Sequence, residues 1–345
     1  MVFLCCYEDV HVFKRIEKDG ERLNAPHKNI GKFASKVKNV ITTAKHPKPE
    51  KKVQTQTSIL RTALSKIVCV PKEPIVDIDT ADVNNPLAVV EYVMDIYKYY
   101  KLTERPSQVC GYMDLQNKIT ESMRMELVDW LIYVHNRFRL TPETLYLTVN
   151  IVDRYLALNL LVREKELQLV GITAMLIASK YEENLAPAVD DFVDISDETY
   201  TRKQILDMEM SILGKLRWNL TIPTTYHFLV RFIKAAAADK VMENLVFYLA
   251  ELGLMHYAMT KYCPSMLAAS AVYAAKCTLN RSPYWNETLK HYTGFSECHL
   301  IECAKQLLSI HSEVAEQEFQ ALYNKYSTFA HHIVALLPAA QALGC

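Results

Sequence analysis

Glycine is scarce: the chain has 8 among 345 residues, where about 7% is usual. Too few are present for a fold built on tight turns, and no Gly-rich loop able to cradle a phosphate can be assembled from them. Long hydrophobic runs are missing as well, since no apolar stretch reaches the roughly 18–20 residues of a membrane-spanning helix. The opening Met-Val-Phe-Leu-Cys-Cys is too short for a signal peptide and runs straight into Glu8 and Asp9. The nine cysteines stand at irregular spacing without a Cys-x-x-Cys pair, so reduced thiols of an intracellular protein are expected. Neither a nucleophile-elbow Gly-x-Ser-x-Gly nor a kinase signature occurs. The interleaved aromatic and basic tract that stacks bases is missing too. His299 and Cys303 lie one helical turn apart, but two ligands rarely hold a metal. No metal, cofactor, catalytic residue or direct nucleic-acid contact is expected of such a chain.

Charge of one sign is missing only on average. Lys and Arg number 39, as do Asp and Glu. Residues 22–72 nevertheless carry a net +11, residues 1–21 carry −2, and residues 73–345 carry −9. The basic stretch is poor in aromatics and contains Lys45-His-Pro-Lys-Pro-Glu-Lys51-Lys52. Low hydrophobicity with charge of one sign cannot offset the entropy of ordering, so a disordered tail is expected. Nuclear import, loose nucleic-acid contact and a plain solvated linker are all compatible with it.

From about Asn85 onward apolar residues recur at helical spacing. Val89, Tyr92, Val93, Ile96 and Tyr100 share one face of a leading helix. A second helix is predicted near 119–138, with Met123, Leu127, Trp130, Leu131 and Val134 in register. Thr141-Pro142 opens another, with Thr as N-cap and Pro at the first helical position. Residues 165–181 are apolar almost all round, which places that helix at the centre of a bundle. Pro187 breaks it, and Thr201 with Gln204 forms a capping box for the next helix, through Leu216. Further helices are predicted near 225–237, 240–259, 265–279, 297–309 and 315–326, the third opened by Pro264. Strand alternation is absent, so the fold class is all-α. Gly171–Lys180 aligns with Leu267–Lys276 at an offset of 96. Both are rich in small residues that let neighbouring helices come close, and an internal duplication is expected.

Several stretches resemble the cyclin box: Met123-Arg-Met-Glu-Leu-Val-Asp-Trp130, Glu143 to Leu156, Leu167-Gln-Leu-Val-Gly and Ala178-Ser-Lys180-Tyr-Glu-Glu183. Phe192-Val-Asp-Ile-Ser-Asp, Met208-Glu209, Ala250 to Tyr257 and Tyr262-Cys-Pro-Ser-Met are similar to plant B-type mitotic cyclins. The resemblance covers about residues 74–340. It implies two tandem five-helix cyclin-box repeats at 85–220, leading helix included, and 221–345, after a flexible basic tail at 1–84. It also implies a non-catalytic subunit that binds and activates a cyclin-dependent Ser/Thr kinase as a heterodimer, controlling the G2/M transition from nucleus and cytoplasm.

Individual residues follow from the same resemblance. Lys180 and Glu209 match the pair that grips the kinase's regulatory helix, although Lys180 at a helix C-terminus also suits an ordinary capping role. Tyr92, Ile96, Leu176 and Tyr181 would supply the apolar part of that interface, and Glu182 and Glu183 would meet basic groups of the activation segment. Asn184 stands where the family has Ile. Met123, Leu127, Trp130, Leu167 and Gln168 match a docking patch for substrates or inhibitors, with Glu126 and Tyr133 departing from its pattern. Arg124 and Asp153 lie among apolar neighbours, where an unpaired charge is costly, and are expected to form an intramolecular ion pair. Arg61, Leu64 and Ile67 fit a destruction box read by a ubiquitin ligase, with Cys69 in place of the usual Asn; Arg137 with Leu140 and Arg217 with Leu220 repeat its Arg-x-x-Leu core. The rival reading is a cyclin-fold transcription factor like general factor IIB. It would want a zinc ribbon and a basic helical face, where residues 73–345 are net acidic and ribbon cysteines are missing.

Overall fold

The computed structural model of the chain describes residues 74–105, 108–109, 111–313, 321–341 and 343. Of these, residues 74–86 and those from 90 onward group as one compact unit, while residues 87–89 group separately. Among the described residues every regular element is helical. A leading helix α1 (Val90–Thr103) precedes five helices: α2 (Glu121–Phe138), α3 (Pro142–Leu158), α4 (Glu164–Glu182), α5 (Val189–Ile195) and α6 (Arg202–Lys215). Five more follow: α7 (Thr225–Ala235), α8 (Lys240–Met255), α9 (Pro264–Thr278), α10 (Glu287–Thr293) and α11 (Glu297–Glu313). A short α12 (Ala321–Tyr326) comes last.

The two sets are variations on one plan. In the first, α4 is buried along nearly its whole length and packs on α2, α3, α5 and α6. In the second, α9 is the buried helix, packing on α7, α8 and α11. Close approach at both centres depends on one glycine. A Cβ on Gly171 of α4 would stand 2.7 Å from Leu127 Cδ1 of α2, and one on Gly253 of α8 would stand 3.0 Å from Leu267 Cδ1 of α9. The aligned segments 171–180 and 267–276 thus occupy the same place in their repeats.

Three details depart from the periodicity. Two seven-residue helices, α5 and α10, carry too few turns for a repeat to register and were not expected. The second closes its ends locally, with Asn286 accepting from the Leu289 N–H at 2.9 Å and Gly294 in the left-handed conformation. The helix expected over 240–259 stops at Met255, because His256 turns to extended backbone and a 3₁₀ segment, Tyr257–Lys261, follows. On α1 the buried residues are Val93 and Tyr100, with Ile96 and Tyr97 half-buried, so Tyr92 sits one step off the buried stripe and is 54% exposed.

Arg124 ties the repeats together. Its side chain is 1% exposed, and its Nε and Nη2 donate to Asp153 Oδ1 and Oδ2 on α3 at 2.6 and 2.7 Å. The remaining Nη1 donates to the carbonyls of Leu254 and Met255 at the end of α8, at 3.2 and 2.8 Å. The Tyr112 hydroxyl adds a third donor to Asp153 at 2.7 Å. A guanidinium fork has donors enough to saturate a carboxylate and still close the C-terminus of a foreign helix. Burial and Asp153 act on Arg124 in opposite senses, and the carboxylate prevails, pushing its pKa further up. Across the same junction α12 lies on both α2 and α8. Its first N–H groups meet Asp129 at 3.3 Å, and Lys325 and Tyr326 converge on the buried Glu251 at 2.7–2.8 Å.

Candidate functional site

Lys180 and Glu209 come together where α4 ends against α6. Lys180 Nζ donates to Glu209 Oε1 at 2.6 Å; the lysine side chain is 45% exposed and the glutamate side chain 12%. The pair therefore stands at the surface on a rigid base. Lysine offers three donors and a carboxylate several acceptor positions, so both ends keep capacity for another molecule's backbone. The last turn of α4 also benefits from the positive charge of Lys180.

Beyond Lys180 the chain leaves the helix through Glu183, whose N–H still bonds to the Ser179 carbonyl at 2.9 Å. Glu183 Oε1 then accepts three hydrogen bonds at the start of α3: from the Thr141 N–H (2.7 Å), the Thr141 hydroxyl (2.9 Å) and the Thr144 hydroxyl (2.6 Å). This alters two expectations. Thr141 occupies the N-cap position, but its hydroxyl donates outward instead of accepting from its own helix. A carboxylate is the stronger acceptor for these groups, and it arrives from 42 residues away. Glu183 is accordingly a structural tether, with this oxygen committed inward. Leu176 also differs from the expectation: it is wholly buried in the core and presents no surface in the chain alone. A helix apolar all round gives no sequence signal of which side faces out.

Outward-facing apolar groups collect nearby. Tyr181 is partly exposed and shares a 2.7 Å hydrogen bond with Thr221; Glu182 is half-buried, and Leu185 is 92% exposed. Farther along the chain, the Tyr97 hydroxyl of α1 donates to the His227 carbonyl of α7 at 2.8 Å. The end of α4 thus meets the segment between the repeats through Thr221, and α1 meets the first helix of the second repeat. Half-buried Ile96 and exposed Tyr92 lie on α1 with Tyr99, also exposed. The reading from spacing missed Tyr99, although the 92, 96, 99 interval is itself a helical stripe. Exposed large apolar side chains of this kind are the part of the surface that water solvates least well.

The five docking positions are placed less openly. Leu127 and Leu167 are buried in the first repeat's core, Met123 and Trp130 pack half-buried against it, and Gln168 is half-buried. Tyr133, one of the two departures from the family pattern, is half exposed beside them. Leu127 is also the side chain that fills the space above Gly171, a core duty. Arg61, Leu64 and Ile67 lie outside the described residues. Arg217 and Leu220 lie just past the end of α6. Among the described residues no three His, Cys, Asp or Glu side chains come together as metal ligands. The Cys303 thiol is pushed up to about 12 by burial, and His299 is engaged with Ser296.

Paired five-helix repeats with a surface Lys–Glu pair at the end of the first central helix define a class of all-helical two-repeat proteins. Residues 95–221 match the family model for the cyclin N-terminal domain and residues 223–340 that for the cyclin C-terminal domain. The chain is 52% identical over 288 residues to Cyclin-B1-4 of Arabidopsis thaliana, covering 83% of this chain and 74% of that protein. It is 58% identical over 295 residues to G2/mitotic-specific cyclin-2 of Antirrhinum majus, covering 84% of this chain. The chain belongs to the cyclin family, and within it is similar to plant B-type mitotic cyclins. It spans 66% of the length of that Antirrhinum relative and 59% of a second one, G2/mitotic-specific cyclin-1. A solved viral cyclin from herpesvirus saimiri shares the fold at 19% identity, with a TM-score of 0.56 over 67% of this chain and 99% of that one.

Proposed function

We propose that the chain is a regulatory subunit that binds and activates a cyclin-dependent Ser/Thr kinase at the G2/M transition and performs no chemistry itself. The observation that carries this reading is the Lys180–Glu209 pair, exposed on one side and fixed on the other. Lys180 and Glu209 would hold backbone groups at the end of the kinase's regulatory helix. Tyr92, Ile96, Tyr99 and Tyr181 would cover the helix's apolar side. Holding that helix inward completes the Lys–Glu ion pair that phosphoryl transfer needs inside the kinase. Such an interface would bury on the order of 2,000 Å². A ubiquitin ligase acting on Arg61–Ile67 and substrates or inhibitors at the Met123–Gln168 patch are further partners the resemblance suggests, with nucleus and cytoplasm as the place of action.

The test is to mix the purified chain with a monomeric cyclin-dependent kinase and follow histone phosphorylation. Activation by the wild type, lost in Lys180→Ala/Glu209→Ala, is expected. No activation by the wild type overturns the reading. Equal activation by both overturns the assignment of the pair alone.

A further inference from the structure

We propose that Arg231, in the second repeat, is a positioning residue for α1 and fixes the pose in which that helix presents Tyr92, Ile96 and Tyr99. The kinase reading above enters only in what this face meets; the anchoring itself stands on contacts within the chain. Helix α1 precedes the first repeat in sequence, yet its hydrogen-bonded and ring contacts reach the second. Tyr100 packs edge-on against His227 and Phe228, at 5.1 and 6.3 Å between centroids. Lys101 Nζ donates to Ser265 at 2.9 Å and lies 3.8 Å from the Phe295 ring centre. Glu104, just past the helix, closes the start of α9 by accepting from the Ser265 N–H and hydroxyl at 2.8 and 2.7 Å. All of these hold the C-terminal half of α1.

The middle of α1, one turn beyond Tyr92, and the segment ahead of the helix are held differently. Arg231 on α7 is 4% exposed, and its guanidinium lies between two rings, 5.3 Å from Tyr97 of α1 and 4.9 Å from Tyr292 of α10. Its Nη2 also reaches Met94 Sδ of α1 at 3.4 Å. Both ends of the fork donate to Asp79, at 2.5 and 2.7 Å, in the segment ahead of α1. That segment is laid along the second repeat by the Val76 N–H to Thr288 and the Ile78 N–H to Tyr292, at 3.1 and 3.3 Å, and by Lys234, which meets both Asp79 and Asp82. One planar cation thus joins the segment, α1, α7 and α10. Lysine cannot stack and fork in this way, and a buried guanidinium keeps one orientation only while all its partners are present.

The test uses the full chain as wild type, Arg231→Lys and Asp79→Asn, followed by hydrogen exchange. The expected result is faster exchange across α1, by about tenfold for one lost charged pair, with α4 and α9 unchanged. Unchanged α1 exchange, or an equal rise in all helices, overturns the proposal. Binding to a monomeric cyclin-dependent kinase then separates the roles. Weakening by Arg231→Lys should be non-additive with Tyr92→Ala/Ile96→Ala and additive with Lys180→Ala; additivity with both would overturn positioning. Absence of any binding by the wild type would count against the kinase reading and leave the exchange result to decide the anchor.

Discussion

The two repeats share a plan and part company at one lysine. Lys180 and Lys276 align across the duplication and each lies in the last turn of a buried central helix. Lys180 reaches water beside Glu209, whereas Lys276 is 7% exposed and turned inward. A duplicated helix can therefore serve as core in both copies while only one copy leaves its charged end open to solvent. The sharpest way to break this contrast is to exchange the consequences. Lys180→Ala/Glu209→Ala is expected to lower kinase affinity about 100-fold or more, since two charge-assisted contacts go at 1.5–3 kcal/mol each, with the unfolding midpoint little changed. Lys276→Ala is expected to do the reverse: a loss of about 3 kcal/mol in stability for a buried charge removed from its partners, with kinase affinity per folded molecule retained. Titration calorimetry beside urea unfolding reads both, and a binding defect in Lys276→Ala at full folding would erase the distinction.

Next in size comes the bond between the repeats. Arg124 closes on Asp153 in its own repeat and on two carbonyls of α8 in the other. Arg124→Met leaves Asp153 buried without its counter-charge, at a cost of about 3–5 kcal/mol. Because the lost contacts span both repeats, unfolding followed by fluorescence and by circular dichroism should no longer coincide. A single coincident transition in the variant would show that α12 and the remaining packing suffice to couple the halves.

How much of this could be read beforehand depends on whether the cause is local. The long helices and the all-α class were legible because each helix repeats its apolar stripe over several turns, as α2 does from Leu127 to Val134. Lys180 was singled out only through resemblance, since a lysine ending a helix is otherwise ordinary; what the structure adds is its pairing with Glu209. The carboxylates that close foreign helices left no trace in spacing. Glu183 serves α3 from 42 residues away, and Glu104 serves α9 from 161 residues away. Both clients begin at proline, at Pro142 and Pro264. Proline supplies no N–H of its own, but nothing in the sequence says which distant carboxylate will meet the N–H groups beside it. Leu176 failed for the opposite reason, as α4 is apolar on every side and no face is distinguished.

The glycines test the comparison more gently. A Cβ at 171 would press on Leu127 at 2.7 Å, and one at 253 on Leu267 and Leu307 at 3.0 and 3.1 Å. Gly171→Ala is expected to cost about 1–3 kcal/mol through overpacking, and Gly253→Ala less than about 1 kcal/mol, because a shift of a few tenths of an ångström relieves it. Helix propensity favours alanine by about 1 kcal/mol at both sites, so Gly253→Ala is the one that can turn out neutral. Denaturant midpoints order the two; a larger loss at 253 would reverse the view that the first repeat is packed more tightly at its centre.

The smallest effect is expected from two histidines, one in each repeat. His135 on α2 and His311 on α11 are both buried with an Nδ1 that meets no partner among the described residues. Burial lowers the pKa of each below the ordinary value of 6.5; the charge of Lys325 lowers His135 further, while hydrogen bonds to the Thr141 and Leu337 carbonyls pull the other way. The folded chain thus holds both neutral at a pH where the unfolded chain begins to protonate them. Between the lowered folded pKa and 6.5 the unfolded state binds more protons, so stability is fully present above pH 6.5 and is lost as pH falls. The slope is at most about 1.4 kcal/mol per pH unit for each histidine. His135→Leu and His311→Leu should each flatten the fall in unfolding free energy between pH 7.5 and 5.5. Burial lowers both, so each variant should show the effect. An unchanged slope in either variant would mean that its histidine binds protons alike in the folded and unfolded chain.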